Sequence, residues 1–168
     1  MPKKLSFVNI RKEIDLLIDS VGFSWVALRS VNLNLPCVEC TKVIDGNFDQ
    51  PNPDCPNCLG IGYAWVDKII KGFRVQYAPG FDFKSNLGII NTQSQVYILR
   101  YDNMPKNIDY ILELDLHENT GEPKQPFKIK RNFKIQSAFP QRGDRGRIEF
   151  WRCFVEERNF DKAGEGIL

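Results

Sequence analysis

The chain has 168 residues and 42% hydrophobic side chains, which is enough for one domain with a substantial core. Its charges nearly cancel, to a formal net charge of +2, so the chain as a whole is neither a basic nucleic-acid binder nor an acidic tail. No apolar run approaches the roughly 18 residues of a membrane span. Charged residues at 11–13 and 15 interrupt the N-terminal apolar positions, unlike in a signal peptide. We therefore expect a protein made in a reducing cytosol, where metal binding or burial of the cysteines is favoured over disulfides.

The first predicted element is a helix near the N-terminus. Its apolar residues recur with a helical period and form one stripe, which consists of Ile10, Ile14, Leu17, Ile18 and Val21. Ser6 is expected to cap the start of this helix and Gly22 to end it. A single apolar stripe indicates a helix that packs on a sheet.

The remainder of the chain has the period-two pattern of β strands. Strands are predicted at 31–35, 69–77, 94–102, 108–116, 127–139 and 147–157, with turns at 117–126 and 139–146. In the 108–116 strand, alternation leaves Asp109, Glu113 and Asp115 on a solvated face. In the 127–139 strand, one apolar face is predicted to hold Phe127, Ile129, Phe133, Ile135 and Phe139. The last strand is apolar on both faces, so it is expected to be central, bulged or covered by the helix.

These elements predict a mainly β fold. We expect a small antiparallel β-barrel or sandwich with an N-terminal α-helix and a four-cysteine zinc-ribbon insert. The predicted divisions are 1–35 for the helix and first strand, 36–64 for the insert, 65–158 for the barrel and 159–168 for a flexible tail.

The insert contains two C-x2-C pairs, Cys37 with Cys40 and Cys55 with Cys58, separated by fourteen residues. This spacing is typical of two knuckles that face each other around one tetrahedral Zn²⁺ ion. Gly60 and Gly62 would let backbone amides approach the sulfurs. A structural ion would supply folding energy that this weakly apolar segment lacks. Two disulfides or free thiols are the alternative for these four residues. Cys153 lies in the last strand and is expected to be a small buried side chain.

No catalytic site is predicted. His117 is the one histidine and lies at the edge of a polar turn, where a solvated side chain is expected. The sequence has no Gly-rich phosphate loop and no nucleophile elbow. We therefore expect a protein that is not an enzyme.

Charge is distributed unevenly along the second half of the chain. Nine Lys or Arg residues lie between 124 and 152, and six acidic residues lie between 102 and 122. Three interpretations remain open: cross-strand pairing within one sheet, attraction between opposite faces of neighbouring copies in a ring, and contact of the basic strands with DNA.

The order of these features resembles a known family. A helix leads to GFSWVALR, then to a C-x2-C…C-P-x-C-x-G-x-G-Y insert, and the chain ends in the edge FKIQSAFPQRGDRGRIEFWRCFVEER. This layout, over roughly residues 5–158, is similar to the head-closure (stopper or connector) proteins of the neck of tailed bacteriophages. The resemblance implies a structural virion protein that assembles in the host cytoplasm as a six- or twelvefold homo-oligomeric ring. Its implied partners are the portal or adaptor proteins, the tail proteins and, through non-specific contact, the packaged DNA.

The resemblance also implies roles for individual segments. In stoppers a loop such as 78–93 can project into the channel as a gate, although Phe81 and Phe83 could instead anchor a neighbour. The C-x2-C-x-G-x-G element is also similar to the zinc repeats of J-domain co-chaperones, but only Cys55 to Gly62 has the full form. The remaining alternatives are another phage tail-completion or baseplate component and a zinc-ribbon nucleic-acid-binding module.

Overall fold

The computed structural model describes residues 9–20, 23–40, 51–55, 57–75, 95–143 and 146–158, and the backbone of 83–85 and 88–90. In this part of the chain a helix precedes eight strands. The helix is α1 (Ile10–Ser20), and the strands are β1 (Phe23–Pro36), β2 (Tyr63–Val75), β3 (Phe83–Ser85), β4 (Gly88–Ile90), β5 (Gln95–Arg100), β6 (Tyr110–Leu114), β7 (Ile129–Arg142) and β8 (Ile148–Glu157). Apart from β3 and β4, the predictions for 78–93 lie outside the described residues, as does the tail 159–168.

Six strands close into an antiparallel barrel in the order β1–β2–β5–β8–β7–β6, and β6 pairs back to β1. β3 and β4 form a separate pair. The barrel interior is filled by Val26, Leu28, Ile70, Tyr97, Leu99, Ile111, Phe133, Ile135, Cys153 and Val155. The predicted mainly β, antiparallel fold is confirmed, and of the two predicted architectures the barrel is the one that forms. Closure leaves the paired part of each strand without a free edge.

Helix α1 packs across the outside of the barrel against β1, β2 and β8. It is anchored by Ile18, which is fully buried. The helix begins later than its predicted cap implies. Asn9 is the N-cap residue, because its side-chain oxygen accepts a hydrogen bond from the backbone N–H of Lys12 at 3.4 Å. The helix therefore begins after Asn9 and not after the predicted cap Ser6, which lies outside the described residues, as does Gly22, the residue predicted to end the helix.

Strand β6 is buried on both sides, which contradicts the predicted solvated face. Ile111 belongs to the barrel interior, whereas Leu112 belongs to a second buried cluster that contains Ala27 and Leu114. Asp109 is only 1% exposed and Glu113 only 4% exposed. The strand lies between β1 and β7, and side chains from the start of β7 pack over its outer side. Alternation in the sequence correctly separates the two faces but does not indicate that both are covered.

Bulges explain why the apolar residues of β7 do not share one face. The register shifts next to Glu113 and again between Ile135 and Ser137. Each bulge adds one residue and reverses the alternation that follows it. Phe133 and Ile135 therefore lie inside the barrel, whereas Phe127 and Ile129 pack on the outer cluster. The prediction of one apolar face for the whole segment was wrong for this reason, and the predicted turn at 139–146 begins only after Arg142.

A charged cluster lies at one end of the barrel interior. Glu113 accepts a hydrogen bond from the Tyr97 hydroxyl and forms ion pairs with Arg131 at 2.7 Å and Arg74 at 3.4 Å. Burial and the hydrogen bond to Glu113 raise the pKa of Tyr97, so its phenol stays protonated. Because the carboxylate has three partners, its burial is compensated. The cluster fills this end of the barrel with side chains from four of its six strands, β2, β5, β6 and β7.

Two hairpins extend beyond the barrel at the opposite end. Strand β1 pairs with β6 only through Val26–Arg29 but continues to Pro36 alongside β2. We call the described residues 32–40, 51–55 and 57–64 the arm. The β7–β8 hairpin projects from the same end, because the C-terminal halves of β1 and β7 both lie beside the start of β6. The arm and this hairpin are separated around the barrel by β6 on one side and β5 on the other.

Candidate metal centre

The four cysteines lie together at the tip of the arm. Strand β1 ends at Pro36, and the next residue, Cys37, donates its backbone N–H to the carbonyl of Gly62 at 2.9 Å. This hydrogen bond joins the start of the first C-x2-C pair to the end of the second. Cys37, Cys55 and Cys58 are buried and pack together with Cys40 as a cluster separate from both barrel clusters. The described part of the insert therefore has its own small core, which consists of the four cysteine side chains.

The arrangement of the sulfur atoms fits a tetrahedral metal ion. All four Sγ atoms lie within 4.8 Å of one another. The distance from Cys37 Sγ to Cys55 Sγ is 3.7 Å, and that from Cys40 Sγ to Cys58 Sγ is 3.4 Å. A tetrahedral ion with metal–sulfur bonds of about 2.3 Å requires sulfur atoms about 3.8 Å apart. Sulfur atoms at these distances are not joined as disulfides, which require about 2.05 Å. The predicted residues are thus within metal-binding distance as free thiols.

The second knuckle depends on backbone conformations that suit glycine. Gly60 and Gly62 have φ angles of +80° and +82°. A Cβ atom on Gly60 would lie 2.9 Å from the carbonyl oxygen of Pro53, and one on Gly62 would lie 2.8 Å from the side chain of Pro51. With no side chain at these positions, the knuckle packs directly on the 51–55 segment. The backbone N–H of Gly62 then reaches Cys58 Sγ at 3.3 Å, as the sequence predicted.

The surroundings of Cys55 and Cys40 shift the pKa values of these two thiols in opposite directions. Backbone N–H groups of Cys58 and Asn57 help to lower the pKa of Cys55 to about 7. Burial and hydrogen bonds from neighbouring thiols raise the pKa of Cys40 to about 12. Without a cation, the cluster therefore favours a thiolate at Cys55 and resists ionisation of Cys40. A divalent ion would remove this conflict, because it binds all four sulfurs as thiolates and neutralises part of their charge.

The other candidate residues form no second site with these cysteines. His117 is exposed in a turn, as predicted. Cys153 is fully buried inside the barrel, also as predicted. Burial and the nearby Asp109 raise the pKa of the Cys153 thiol to about 12, so it stays protonated. Asp115 pairs with Lys124 at 2.7 Å. This pair joins the two charged blocks beside an isolated bridge, and the pair of Glu113 with Arg131 confirms cross-strand pairing for another part of them.

Sequence reasoning missed the burial of Asp109 and Glu113. Asp109 and Glu113 were assigned to solvent because they alternate with leucine and isoleucine. The chain offers one signal for Glu113, since Arg131 lies directly opposite it in the register of β6 and β7. That register depends on the bulge next to Glu113, and the sequence pattern does not predict this bulge.

The chain matches no model of a known protein family. No curated protein matches it either. Among the described residues, the one helix is too short and too polar to cross a membrane.

Proposed function

We propose that this chain is a structural protein of the neck between the head and tail of a tailed bacteriophage. Copies of it would form a ring that closes the head after DNA packaging and provides a docking surface for the tail. The observation that carries the proposal is the layout of the fold. An N-terminal helix, a four-cysteine projection and a closed small barrel follow one another in the order that the sequence resemblance implies.

The proposal includes a structural Zn²⁺ ion held by Cys37, Cys40, Cys55 and Cys58. Four thiolates with no other ligand type are the set that structural zinc prefers. All four positions of a tetrahedral ion would be filled, so the ion would hold the arm in one shape and would not activate water. The residues contribute that shape through the Gly60–Gly62 turn and through the amide hydrogen bond to Cys58.

The proposed partners follow from the location. Neighbouring copies would occupy a six- or twelvefold ring, with portal or adaptor proteins above it and tail proteins below it. Packaged DNA would be contacted without sequence preference. A rigid barrel with two projections from one end suits this role, because a ring subunit needs separate contacts for its neighbours and for the layers it joins.

Electron microscopy of the purified, zinc-loaded protein tests the proposal. We expect ring-shaped oligomers with a central opening, and we expect antibody against the chain to label parent particles at the head–tail junction. A protein that stays monomeric at every concentration and is absent from purified particles would rule the proposal out. Labelling at the baseplate would instead support the alternative of a tail component.

A further inference from the structure

The arm has an exposed surface that is both apolar and acidic. Leu33 and Val38 are 65% and 67% exposed, and Leu35, Leu59 and Tyr63 are 38–49% exposed. Glu39 and Asp54 are exposed as well, and neither is in an ion pair with another described residue. Four thiolates around a divalent ion leave two further negative charges. Exposed apolar side chains concentrated on one projection typically mark a contact surface.

The β7–β8 hairpin and the loop beside it form a surface of the opposite charge. We call the described residues 101–109, 137–143 and 146–152 the hairpin surface. Its arginines are Arg142, Arg147 and Arg152. Arg147 pairs with the buried carboxylate of Glu149 at 2.9 Å, and Arg11 pairs with the same carboxylate at 3.4 Å. The loop contributes one exposed cation, Lys106, and one exposed carboxylate, Asp102, which offset each other, and its other carboxylate, Asp109, is buried. The excess charge of the hairpin itself is therefore positive.

The hairpin surface also carries exposed apolar side chains. Tyr101, Met104 and Ile108 are exposed on the 101–109 loop. The loop is fixed to the hairpin at two points, because Trp151 Nε1 donates to the carbonyl of Tyr101 at 3.1 Å and the backbone N–H of Ala138 donates to Asn107 Oδ1 at 3.1 Å. Apolar and basic groups are thus held together in one surface, as apolar and acidic groups are in the arm.

The arm and the hairpin surface leave the same end of the barrel from opposite walls. Strands β5 and β6 stand between the two hairpins on either side of the closed barrel. Because these two complementary surfaces lie on opposite walls, each copy can bind the next one head to tail. Such contacts close into a ring when the rotation between successive copies allows it. We propose that the arm of one copy docks on the hairpin surface of the next copy. This inference rests on the proposed ring and identifies the two surfaces that join it.

Charge reversal on each surface tests the inference. The arm variant carries E39K and D54K, and the hairpin variant carries K106E and R142E. All four side chains are exposed and none is a cysteine ligand or an ion-pair partner among the described residues. Each variant alone should need at least about tenfold higher concentration to assemble, because like charges would face each other across every joint. An equimolar mixture should assemble like the wild type, since copies that alternate restore opposite charges at both kinds of joint.

Two matched variants control for charge alone. E118K/E122K and K128E/K130E reverse the same number of exposed charges elsewhere on the chain, and both should assemble normally. Sedimentation velocity gives the oligomer size, and metal content with circular dichroism checks that each variant is folded. Normal assembly of the arm variant or of the hairpin variant would overturn the inference, as would failure of their mixture to assemble. If the wild type still forms rings in that case, the proposed function stands. A wild-type protein without rings would contradict both.

Discussion

At the scale of single residues, the arm depends on two glycines, because positions 60 and 62 have no room for a Cβ atom. Gly60 and Gly62 lie against Pro53 and Pro51, and any Cβ atom there would overlap the facing segment. Both glycines were chosen from the sequence for close backbone approach, and the structure identifies the two prolines as the surface they approach. The turn that holds the cysteine ligands therefore depends on close packing of these two glycines against the two prolines.

Gly60→Ala should weaken metal binding by roughly tenfold or more. The substitution forces a side chain into a left-handed backbone conformation, which costs about 1–2 kcal/mol, and it also places Cβ against the carbonyl oxygen of Pro53. Competition with a chromogenic chelator measures the affinity. Gly121→Ala is the matched control, because Gly121 also has a positive φ but its Cβ would meet nothing within 4 Å. Equal metal affinity in the Gly60→Ala and Gly121→Ala proteins would show that the contact with Pro53 has no role.

Asp109 should make the fold less stable as pH rises. Burial is the largest cause that raises its pKa above the value near 3.9 of an unfolded chain, and the backbone N–H of Lys106, 2.9 Å from Oδ2, only partly offsets this. The folded state then holds the proton more tightly than the unfolded state, so stability is lost as pH rises above about 4. Asn cannot titrate, and urea unfolding from pH 4 to pH 7 should show wild type losing stability relative to Asp109→Asn. A difference that stays constant over this range would show that the carboxyl is not perturbed.

At the scale of elements, the arm and the barrel are two units with separate cores. The cysteine cluster shares no residue with the barrel interior, and the link between them is the β1–β2 ladder. The ladder is irregular between Asn32 and Pro36, which is where it leaves the barrel. Loss of the metal should therefore disorder the tip of the arm without unfolding the strands of the barrel.

Cys55→Ser and Cys153→Ser should have opposite effects on the two units. Cys55→Ser is expected to lose the metal and make the arm sensitive to protease, while the far-UV circular dichroism of the barrel persists. Cys153→Ser places a hydroxyl in the apolar interior at a cost of about 1–3 kcal/mol, so it should lower the unfolding temperature but keep the metal. Global unfolding of the Cys55→Ser protein would mean that the arm is integral to the barrel core.

The sequence predicted the elements better than their faces. Period-two patterning identified β2, β5, β6, β7 and β8, and paired C-x2-C spacing identified the cysteine cluster, because both signals are local. For β1 it predicted only 31–35 and missed Val26–Arg29, the part that closes the barrel. It did not predict that β2 begins at Tyr63, since a ladder that extends outside the core has no apolar alternation to reveal it. It also did not predict the bulges of β7 or the burial of Glu113, because both depend on which strand lies alongside.

At the scale of the whole molecule, a near-neutral chain is divided into surfaces of opposite charge. Part of the charge seen in the sequence is used internally, as in the pairs of Glu113 with Arg131 and Asp115 with Lys124. Of the charge that remains exposed, part lies on the 117–130 segment and part on two projections from one end, an acidic arm and a basic hairpin. A closed barrel has few edges with which to recruit neighbours, so projections of this kind are the natural place for contacts between copies.

The most direct test of the account is native mass spectrometry of the purified protein, because one spectrum gives both the number of chains and the number of ions. We predict an assembly of six or twelve chains of 19.4 kDa each, with about one Zn²⁺ ion per chain. Addition of a strong chelator should convert this assembly to metal-free, smaller species whose barrel remains folded. A single metal-free chain with intact thiols, found at all concentrations and in the presence of added zinc, would contradict the account.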